Sequence, residues 1–449
     1  MTQNSLPITD INRWFPSNYY RGPNILVWLA LIACFCAVFM KIWTPTAMNR
    51  WPEVITTLLF LYPLITQWRF FKHQPMLIFW ALAIAAPFVF FGINYLIDAE
   101  TAVKYADFEQ LPRIYLFIPI AWWLGGNRRT IGLFLAMALG GFFFACLRDP
   151  NLATTAKAIF NGNRVNFGIL NSQHVALFFS LGLIGCISYL PNALKAKHLL
   201  HKYGYSTVII SAAAVCTVGV LATQTRAAFL ALIIAFAVAP VLLVIRRIRP
   251  KKTKLKTKAL WSIVIVVMIG SIPIAFRDNI TNRDLSESGT LKAIVGGDWQ
   301  NIPYTSIGVR ANSWLEALEW IAEKPLIGYG AKVRTDVIQQ STRHPAWVKE
   351  KYAHLHNSYI EITLAFGLLG LILSLTPLVY CFKRCMTFDQ PAHTFALFGL
   401  VVFIFMNLFE SYLFFWMGPY LLTLIIAPIY SIELSKKITK GDKIQKLNT

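Results

Sequence analysis

Two histidines and an acid stand at the start of a long apolar segment. The stretch HLHNSYIEITLAFGLLG, residues 354–370, carries His354, His356, Asn357 and Glu361. Histidine exchanges protons near neutral pH, so either ring can act as a base toward a hydroxyl group. As a structural alternative, the histidines only cap the helix start, and Glu361 makes a packing hydrogen bond to a neighbouring helix. Residue types alone leave open which histidine is catalytic.

Three arginines lie in polar connections on the same predicted membrane face as these histidines. They are Arg164 in NGNRVNFG, Arg226 in TQTRAAF and Arg310 in GVRANSW. Each alone is weak evidence, because a lone arginine is usually a solvated charge or reaches lipid phosphate. Together, their guanidinium groups match the oxygens of a diphosphate and can hold it without a metal ion. That face has no DxD pair or aspartate cluster, which argues against a Mg²⁺-dependent transferase, and we expect no metal and no cofactor.

The elements that must position these residues are membrane helices. The chain has 449 residues, of which 56% are hydrophobic and 14% are charged. Twelve apolar segments have about the length that crosses roughly 30 Å of hydrocarbon as a helix. Their centres lie near Ala30, Leu61, Ile84, Ile118, Met137, Leu181, Ile210, Ala235, Ile265, Leu371, Val402 and Leu422. We predict an all-α polytopic integral membrane protein with about twelve transmembrane helices.

The formal net charge of +21 is explained by membrane orientation. Lysine and arginine cluster in short connections between apolar segments, which is the pattern of cytoplasmic loops. With the N-terminus in the cytoplasm, the connections that carry Arg164, Arg226 and Arg310 all face the opposite compartment. We therefore expect membrane lipid, and no nucleic acid, among the partners.

The polar segment 277–355 is predicted to be an ordered, partly helical lid between helices nine and ten. It mixes both signs of charge and contains the stretch NSWLEALEWIAE. The apolar residues near helical spacing in that stretch are Trp314, Leu315, Leu318 and Ile321. On this reading, residues 1–276 hold helices one to nine, and residues 356–449 hold helices ten to twelve with a basic cytoplasmic tail.

The motifs around the candidate residues resemble those of the O-antigen ligase family. HNSYIEITLAFGLLG matches a pattern of His, then Asn, Ser or Gln, nine residues, Gly, two residues, and Gly, Thr or Tyr. Here these positions are His356, Asn357, Gly367 and Gly370. The stretches NRVNFG, LATQTRA and GVRANSWLEALEWIAEKPLIGYG also resemble the family, and the resemblance spans roughly residues 160–375.

The resemblance implies a glycosyl transfer that needs neither ATP nor a metal ion and that inverts the sugar carbon. An O-antigen polysaccharide would move from undecaprenyl diphosphate to a sugar hydroxyl of lipid A-core, at the periplasmic face of the bacterial inner membrane. By this resemblance, His356 would be the base, and Arg226 and Arg310 would hold the diphosphate. The supporting residues would be Arg164, His354, Asn357 and Glu361.

Three other functions stay open at this point. The same superfamily includes O-antigen polymerases and O-linked oligosaccharyltransferases that act on pilin or other proteins. These enzymes need the same binding site for the donor diphosphate. The match at His356 to Gly370 favours the ligase. A transporter of lipid-linked glycans would carry charged or broken positions near mid-membrane in matching halves of the chain, whereas here the informative charges lie at one face.

Overall fold

The computed structural model describes residues 23–44, 46–247, 287–387 and 390–447. This part of the chain is all helical and contains no strand. The first helices are α1 (Asn24–Met40), α2 (Thr46–Asn49), α3 (Trp51–Thr66), α4 (Trp68–Phe71), α5 (Pro75–Ile97), α6 (Ala99–Tyr105), α7 (Gln110–Arg113), α8 (Phe117–Leu124), α9 (Arg128–Leu147) and α10 (Leu152–Phe160). They are followed by α11 (Ser172–Ala193), α12 (Leu199–Thr223), α13 (Arg226–Arg247), α14 (287–296), α15 (Ser306–Glu323), α16 (Arg334–Gln339), α17 (Ala346–Lys351), α18 (Ser358–Cys385), α19 (Pro391–Met406), a 3-10 turn (Tyr412–Phe414) and α20 (Met417–Leu447).

Among the described residues, six helices are long and apolar enough to cross a membrane, namely α5, α9, α11, α12, α18 and the Met417–Ile438 part of α20. Shorter apolar helices are α1, α3, α19 and the Arg226–Val238 part of α13. Eleven of the predicted span centres fall within helices, and the twelfth, Ile265, lies outside the described residues. The all-α class with several membrane spans is therefore confirmed, while a total of twelve spans stays a prediction.

The span expected around Ile118 is much shorter than a membrane-crossing helix. Helix α8 has eight residues, which rise only about 12 Å. Pro119 lacks the N–H that would bond to the Tyr115 carbonyl, and that carbonyl instead accepts from the Ile118 N–H at 3.0 Å. All residues of α8 are buried, and the helix packs against α3 and α20. Its apolar character thus reflects burial inside the bundle.

The residues 287–355, named the insertion here, form a helical body beside the membrane helices. Its own apolar cluster includes Val309, Ala317, Val333, Val337, Ile338 and Val348. The helix predicted around Trp314 is present as α15. The buried face differs from the expected one, because Leu318 is 51% exposed while Ser313 and Glu316 are buried. These two polar side chains face inward because they hydrogen-bond to His344 and Ser341, at 3.1 and 2.8 Å.

Helix α18 is broken at Gly367, and the insertion is attached to the break. Gly367 has a φ of +63°, and a Cβ there would lie 2.0 Å from the carbonyl carbon of Leu326. Residues 325–330 make four backbone hydrogen bonds across the break: Leu368 N to Pro325 O (2.8 Å), Leu369 N to Leu326 O (3.2 Å), Tyr329 N to Leu364 O (3.1 Å) and Gly330 N to Ala365 O (2.8 Å). The insertion thus satisfies backbone groups that a break in a helix leaves unpaired.

Candidate functional site

A buried carboxylate holds the two predicted histidines together. Glu410, between α19 and the 3-10 turn, is fully buried. Its Oε1 lies 3.2 Å from both His354 Nε2 and His356 Nδ1, and its Oε2 lies 3.3 Å from His356 Nδ1. The two imidazole rings have their centroids 4.1 Å apart. The two histidines and Glu410 therefore form a single cluster.

The surroundings of Glu410 favour its ionised form. Burial alone raises the pKa of the Glu410 carboxyl, but the interactions with His354, His356 and the Ser411 N–H together outweigh burial and bring the pKa below its usual range. The backbone N–H of Ser411 donates to Oε1 at 3.0 Å, and Asn171 Nδ2 donates to Oε2 at 3.4 Å. Glu410 is therefore a hydrogen-bond acceptor for both rings.

Asn357, not a histidine, caps the start of α18. Its side-chain oxygen accepts from the N–H groups of Tyr359 and Ile360, at 3.0 and 3.2 Å. The preceding residue, His356, has a φ of +54°, a left-handed conformation that costs about 1–2 kcal/mol for a residue with a Cβ. Such strain persists only where the surroundings enforce it, and it is frequent at active sites. The local backbone thus places the His356 ring toward Glu410.

Glu361 accepts hydrogen bonds from two parts of the chain and pairs with an arginine. Its Oε1 accepts from the Leu355 N–H and from Ser411 Oγ, each at 2.6 Å, and its Oε2 lies 3.3 Å from Arg334 Nη1. The Arg334 guanidinium also stacks over Phe415, 5.5 Å from the ring centroid. Glu361 therefore ties the chain on both sides of the histidine cluster and fixes a further arginine beside it.

Arg310 lies on helix α15, which contacts the residue before His356. It lies one turn before Trp314 and thus on the same helix face. The Trp314 indole N–H donates to the carbonyl of Leu355, the residue before His356, at 2.8 Å. Arg310 Nε is buried, and none of the residues that the structure describes accepts a hydrogen bond from it. A buried donor without an acceptor costs about 1–3 kcal/mol, and an anionic ligand would supply that acceptor.

Arg164 and Arg226 lie together where α12 meets α13. Arg164 Nε donates to the carbonyl of the last residue of α12 at 3.0 Å, and Arg226 is the exposed first residue of α13. Thr225 Oγ1 donates to the first residue of α11 at 3.2 Å, and Asn171, directly before α11, reaches Glu410. These contacts bring the arginine junction to the same end of the bundle as the histidine cluster.

Sequence reasoning missed three residues of this site. Glu410 stands in FESYLF between the last two apolar segments. An acidic residue next to membrane segments is costly and often functional, and this was the signal that the sequence offered. His174, on the first turn of α11, is buried with its ring 4.9 Å from Tyr412. Arg334 lies in the polar insertion, where an arginine gives no local signal. All three depend on packing between distant parts of the chain.

The histidine cluster also offers the atoms that a metal ion could use. One ligand atom from each of His354, His356 and Glu410 lies within 4.8 Å of the others, and imidazole and carboxylate groups are ordinary zinc ligands. However, one ring nitrogen of each histidine already forms a hydrogen bond with Glu410 at 3.2 Å. The cluster is therefore held together by hydrogen bonds without a metal ion.

Fold and site together define an all-helical, multi-pass membrane protein with a histidine–carboxylate cluster and several arginines at one end of its helix bundle. Residues 211–375 match the family model described as O-antigen ligase, and this match supports membership of the O-antigen ligase/polymerase superfamily. The matched region contains Arg226, Arg310 and His356, whereas Glu410 lies beyond it.

The chain also resembles an uncharacterized protein of Haemophilus influenzae, with 28% identity over 103 residues. That alignment covers 22% of this chain and 26% of the other protein.

Proposed function

We propose that this protein transfers an O-antigen polysaccharide from undecaprenyl diphosphate to a sugar hydroxyl of lipid A-core, completing lipopolysaccharide. The observation that carries the proposal is that the elements carrying His356 and several arginines meet at one end of the helix bundle. There, Arg310 Nε is buried and lacks an acceptor among the described residues. A base at the same end of the bundle as several arginines suits a reaction in which a hydroxyl group loses its proton and a diphosphate leaves.

His356 is the base in this proposal. The acceptor hydroxyl gives its proton to the imidazole while its oxygen attacks the anomeric carbon of the donor sugar. The bond from that carbon to the diphosphate oxygen breaks, and its electron pair leaves with undecaprenyl diphosphate. Attack from the side opposite to the leaving group inverts the anomeric carbon. The proton later passes from His356 to water, so no metal ion and no nucleoside triphosphate is consumed.

Arg226 and Arg310 hold the diphosphate, and Arg164 is a supporting contact. Negative charge grows on the leaving diphosphate in the transition state, and fixed cations aimed at that charge are usually the largest catalytic contribution. A guanidinium group can bind two phosphate oxygens at once, which a lysine cannot. Arg334, held by Glu361 at 3.3 Å, adds positive charge beside the histidines.

An apolar cavity in the bundle suits the part of the donor's lipid tail that is nearest to the diphosphate. It has a volume of about 220 Å³ and lies between α9, α11, α12 and α20, with Phe142, Phe178, Gly182, Gly185 and Leu424 among its lining residues. Along α11 the lining runs from Phe178 to Tyr189, a rise of about 16 Å, and it begins one turn beyond His174. A polyprenyl tail in this cavity would place its diphosphate at the arginine end of the bundle.

The distribution of basic residues supports an active site at the periplasmic face of the inner membrane. Arg128, Lys195 and Arg384 lie at helix ends opposite to the histidine cluster. By the positive-inside rule, that opposite end faces the cytoplasm. The insertion then lies in the periplasm and forms a lid at the donor site.

A reconstituted reaction tests this function and its rivals. Purified protein in detergent receives undecaprenyl-diphosphate-linked O-antigen and EDTA, with rough lipopolysaccharide in one tube and a pilin in another. We expect a ladder on lipopolysaccharide that disappears with His356→Ala and persists with His201→Ala, a control at the exposed, opposite end of α12.

Other outcomes would assign a different function. Glycan on the pilin alone would identify an oligosaccharyltransferase, and longer glycans on undecaprenyl diphosphate would identify a polymerase. Donor binding without product on any acceptor would favour a transporter. Loss of activity in EDTA that Mg²⁺ restores would refute the metal-independent mechanism.

A further inference from the structure

We infer that Glu410 is the positioning residue that selects the basic nitrogen of His356. The inference rests on the proposed function and adds to it a residue outside the region matched by the family model. Glu410 does not touch the reacting atoms in this scheme. It acts through the two imidazole rings that it holds.

The contact geometry determines which nitrogen of His356 can accept a proton. Both carboxylate oxygens of Glu410 face His356 Nδ1, at 3.2 and 3.3 Å. An ionised carboxylate only accepts hydrogen bonds, so the ring proton must reside on Nδ1. The lone pair is then on Nε2, the nitrogen that points away from Glu410. Once Nε2 takes the proton of the acceptor hydroxyl, the ring becomes a cation beside a buried anion, which stabilises it.

The same carboxylate orients His354 in the opposite sense. His354 contacts Glu410 through Nε2 rather than Nδ1, so its lone pair is on Nδ1. With ring centroids 4.1 Å apart, two imidazolium cations would repel each other strongly. Glu410 therefore stabilises one positive charge on the pair of rings. The nitrogen that carries the lone pair is Nε2 in His356 and Nδ1 in His354. In the proposed reaction, His356 is the base and His354 is the neighbouring ring.

Glu410 is held firmly enough to impose this arrangement. Its side chain is fully buried and accepts the Ser411 N–H at 3.0 Å. Its backbone carbonyl accepts from Ser358 Oγ, on the first turn of α18, at 3.1 Å. The connection that carries Glu410 is thus bonded directly to the helix start that follows His356. Among the residues that the structure describes, the other titratable or charged groups around the cluster are Glu361, Arg334, His174, Tyr352 and Tyr412.

Replacement of Glu410 by glutamine reverses the hydrogen bond. The amide NH₂ group of Glu410→Gln can donate to Nδ1, which moves the ring proton to Nε2 and removes the base. General-base catalysis contributes roughly 10²- to 10⁴-fold, so we expect kcat to fall by about that factor. The KM for undecaprenyl-diphosphate-linked donor should change little, because the arginines are untouched. In the His356→Ala background, the same change should have no further effect on kcat.

Two further variants keep the test decisive. Glu410→Asp retains the charge but withdraws the carboxylate from Nδ1, so we expect kcat about tenfold lower and the acidic limb of the kcat profile displaced to lower pH. Glu433→Gln is the matched control, because Glu433 is also a buried acid and pairs with Arg384 at 3.5 Å at the opposite end of the bundle. Its kcat and pH profile should match the wild type.

The outcomes separate this inference from the proposed function. A wild-type protein that transfers glycan to no acceptor refutes the function itself. If the wild type is active and His356→Ala is not, wild-type kcat and pH profile in folded Glu410→Gln would overturn the role of Glu410. Should Glu410→Gln fail to fold, an unchanged kcat and acidic limb in Glu410→Asp would overturn it alone.

Discussion

Replacing Arg310 by lysine tests whether this arginine binds the donor or stabilises the fold. Arg310 Nε is buried, and no described residue accepts a hydrogen bond from it. If a diphosphate is the natural acceptor, the arginine lowers the stability of the empty protein and contributes only when donor is bound. Lysine keeps the positive charge but lacks both Nε–H and the planar fork. We therefore expect weaker catalysis without a loss of stability.

The expected size of both effects follows from the buried donor. A hydrogen bond to a charged group contributes about 1.5–3 kcal/mol, and a difference of 1.4 kcal/mol is about tenfold. Loss of one such bond to the diphosphate should lower kcat/KM by roughly 10- to 150-fold. Removing the unpaired buried Nε relieves about 1–3 kcal/mol in the empty protein, part of which the desolvation of lysine offsets. The apparent Tm without donor should stay constant or rise.

Kinetics and thermal melting together measure this prediction. Initial rates are recorded over a range of donor concentrations, and melting is followed with and without undecaprenyl diphosphate, which should stabilise the wild type more than the variant. Arg343→Lys is the control, because Arg343 lies on the same insertion and pairs with Glu316 at 3.8 Å and with Glu319. That control should keep its kcat/KM. A larger Tm loss in Arg310→Lys than in the control, or unchanged kcat/KM, would refute the reasoning.

Two further predictions concern the insertion. Gly367→Ala should lower the apparent Tm and expose the insertion to protease. A Cβ at this position would lie 2.0 Å from the Leu326 carbonyl carbon, and the left-handed backbone adds about 1–2 kcal/mol of strain. The control Gly92→Ala, where a Cβ meets no atom within 4 Å, should melt like the wild type. Burial lowers the pKa of His344, so the folded insertion favours the neutral ring and its stability should fall as the pH drops below about 6.5. Hydrogen exchange around residues 340–345, corrected for intrinsic rates, should then be faster at lower pH in the wild type but not in His344→Gln, and equal pH dependence in both proteins would contradict the prediction.

The fold could be predicted where it depends on local composition. A segment that crosses a membrane must satisfy its own backbone and present apolar side chains, and both requirements can be read from a window of about twenty residues. The short helix around Ile118 and the break at Gly367 could not be predicted in this way. The first is buried against helices far away in the chain, and the second depends on backbone hydrogen bonds from residues 325–330.

Only those site residues that residue type or family resemblance indicates could be predicted. His356 and the arginines were named from the sequence, and the structure brings the elements that carry them to one end of the bundle. Glu410 stands 54 residues after His356, and nothing local links the two. Their contact arises because the end of α19 packs beside the start of α18, where Ser358 N–H donates to the Asn407 carbonyl at 2.9 Å.

The insertion and α18 together set the position of His356, and Trp314 is the contact through which this can be tested. Trp314 joins α15, which carries Arg310, to the Leu355 carbonyl at 2.8 Å. This hydrogen bond is one of the contacts that fix the position of His356 relative to Arg310. Trp314→Phe keeps an aromatic ring but removes the donor. Because removing it leaves the strained His356 backbone less constrained, we expect kcat to fall about tenfold, the effect of roughly 1.4 kcal/mol, with donor KM nearly unchanged. Wild-type kcat in Trp314→Phe would show that the other contacts, including those of Glu410 and Asn357, hold the histidine without help from Trp314.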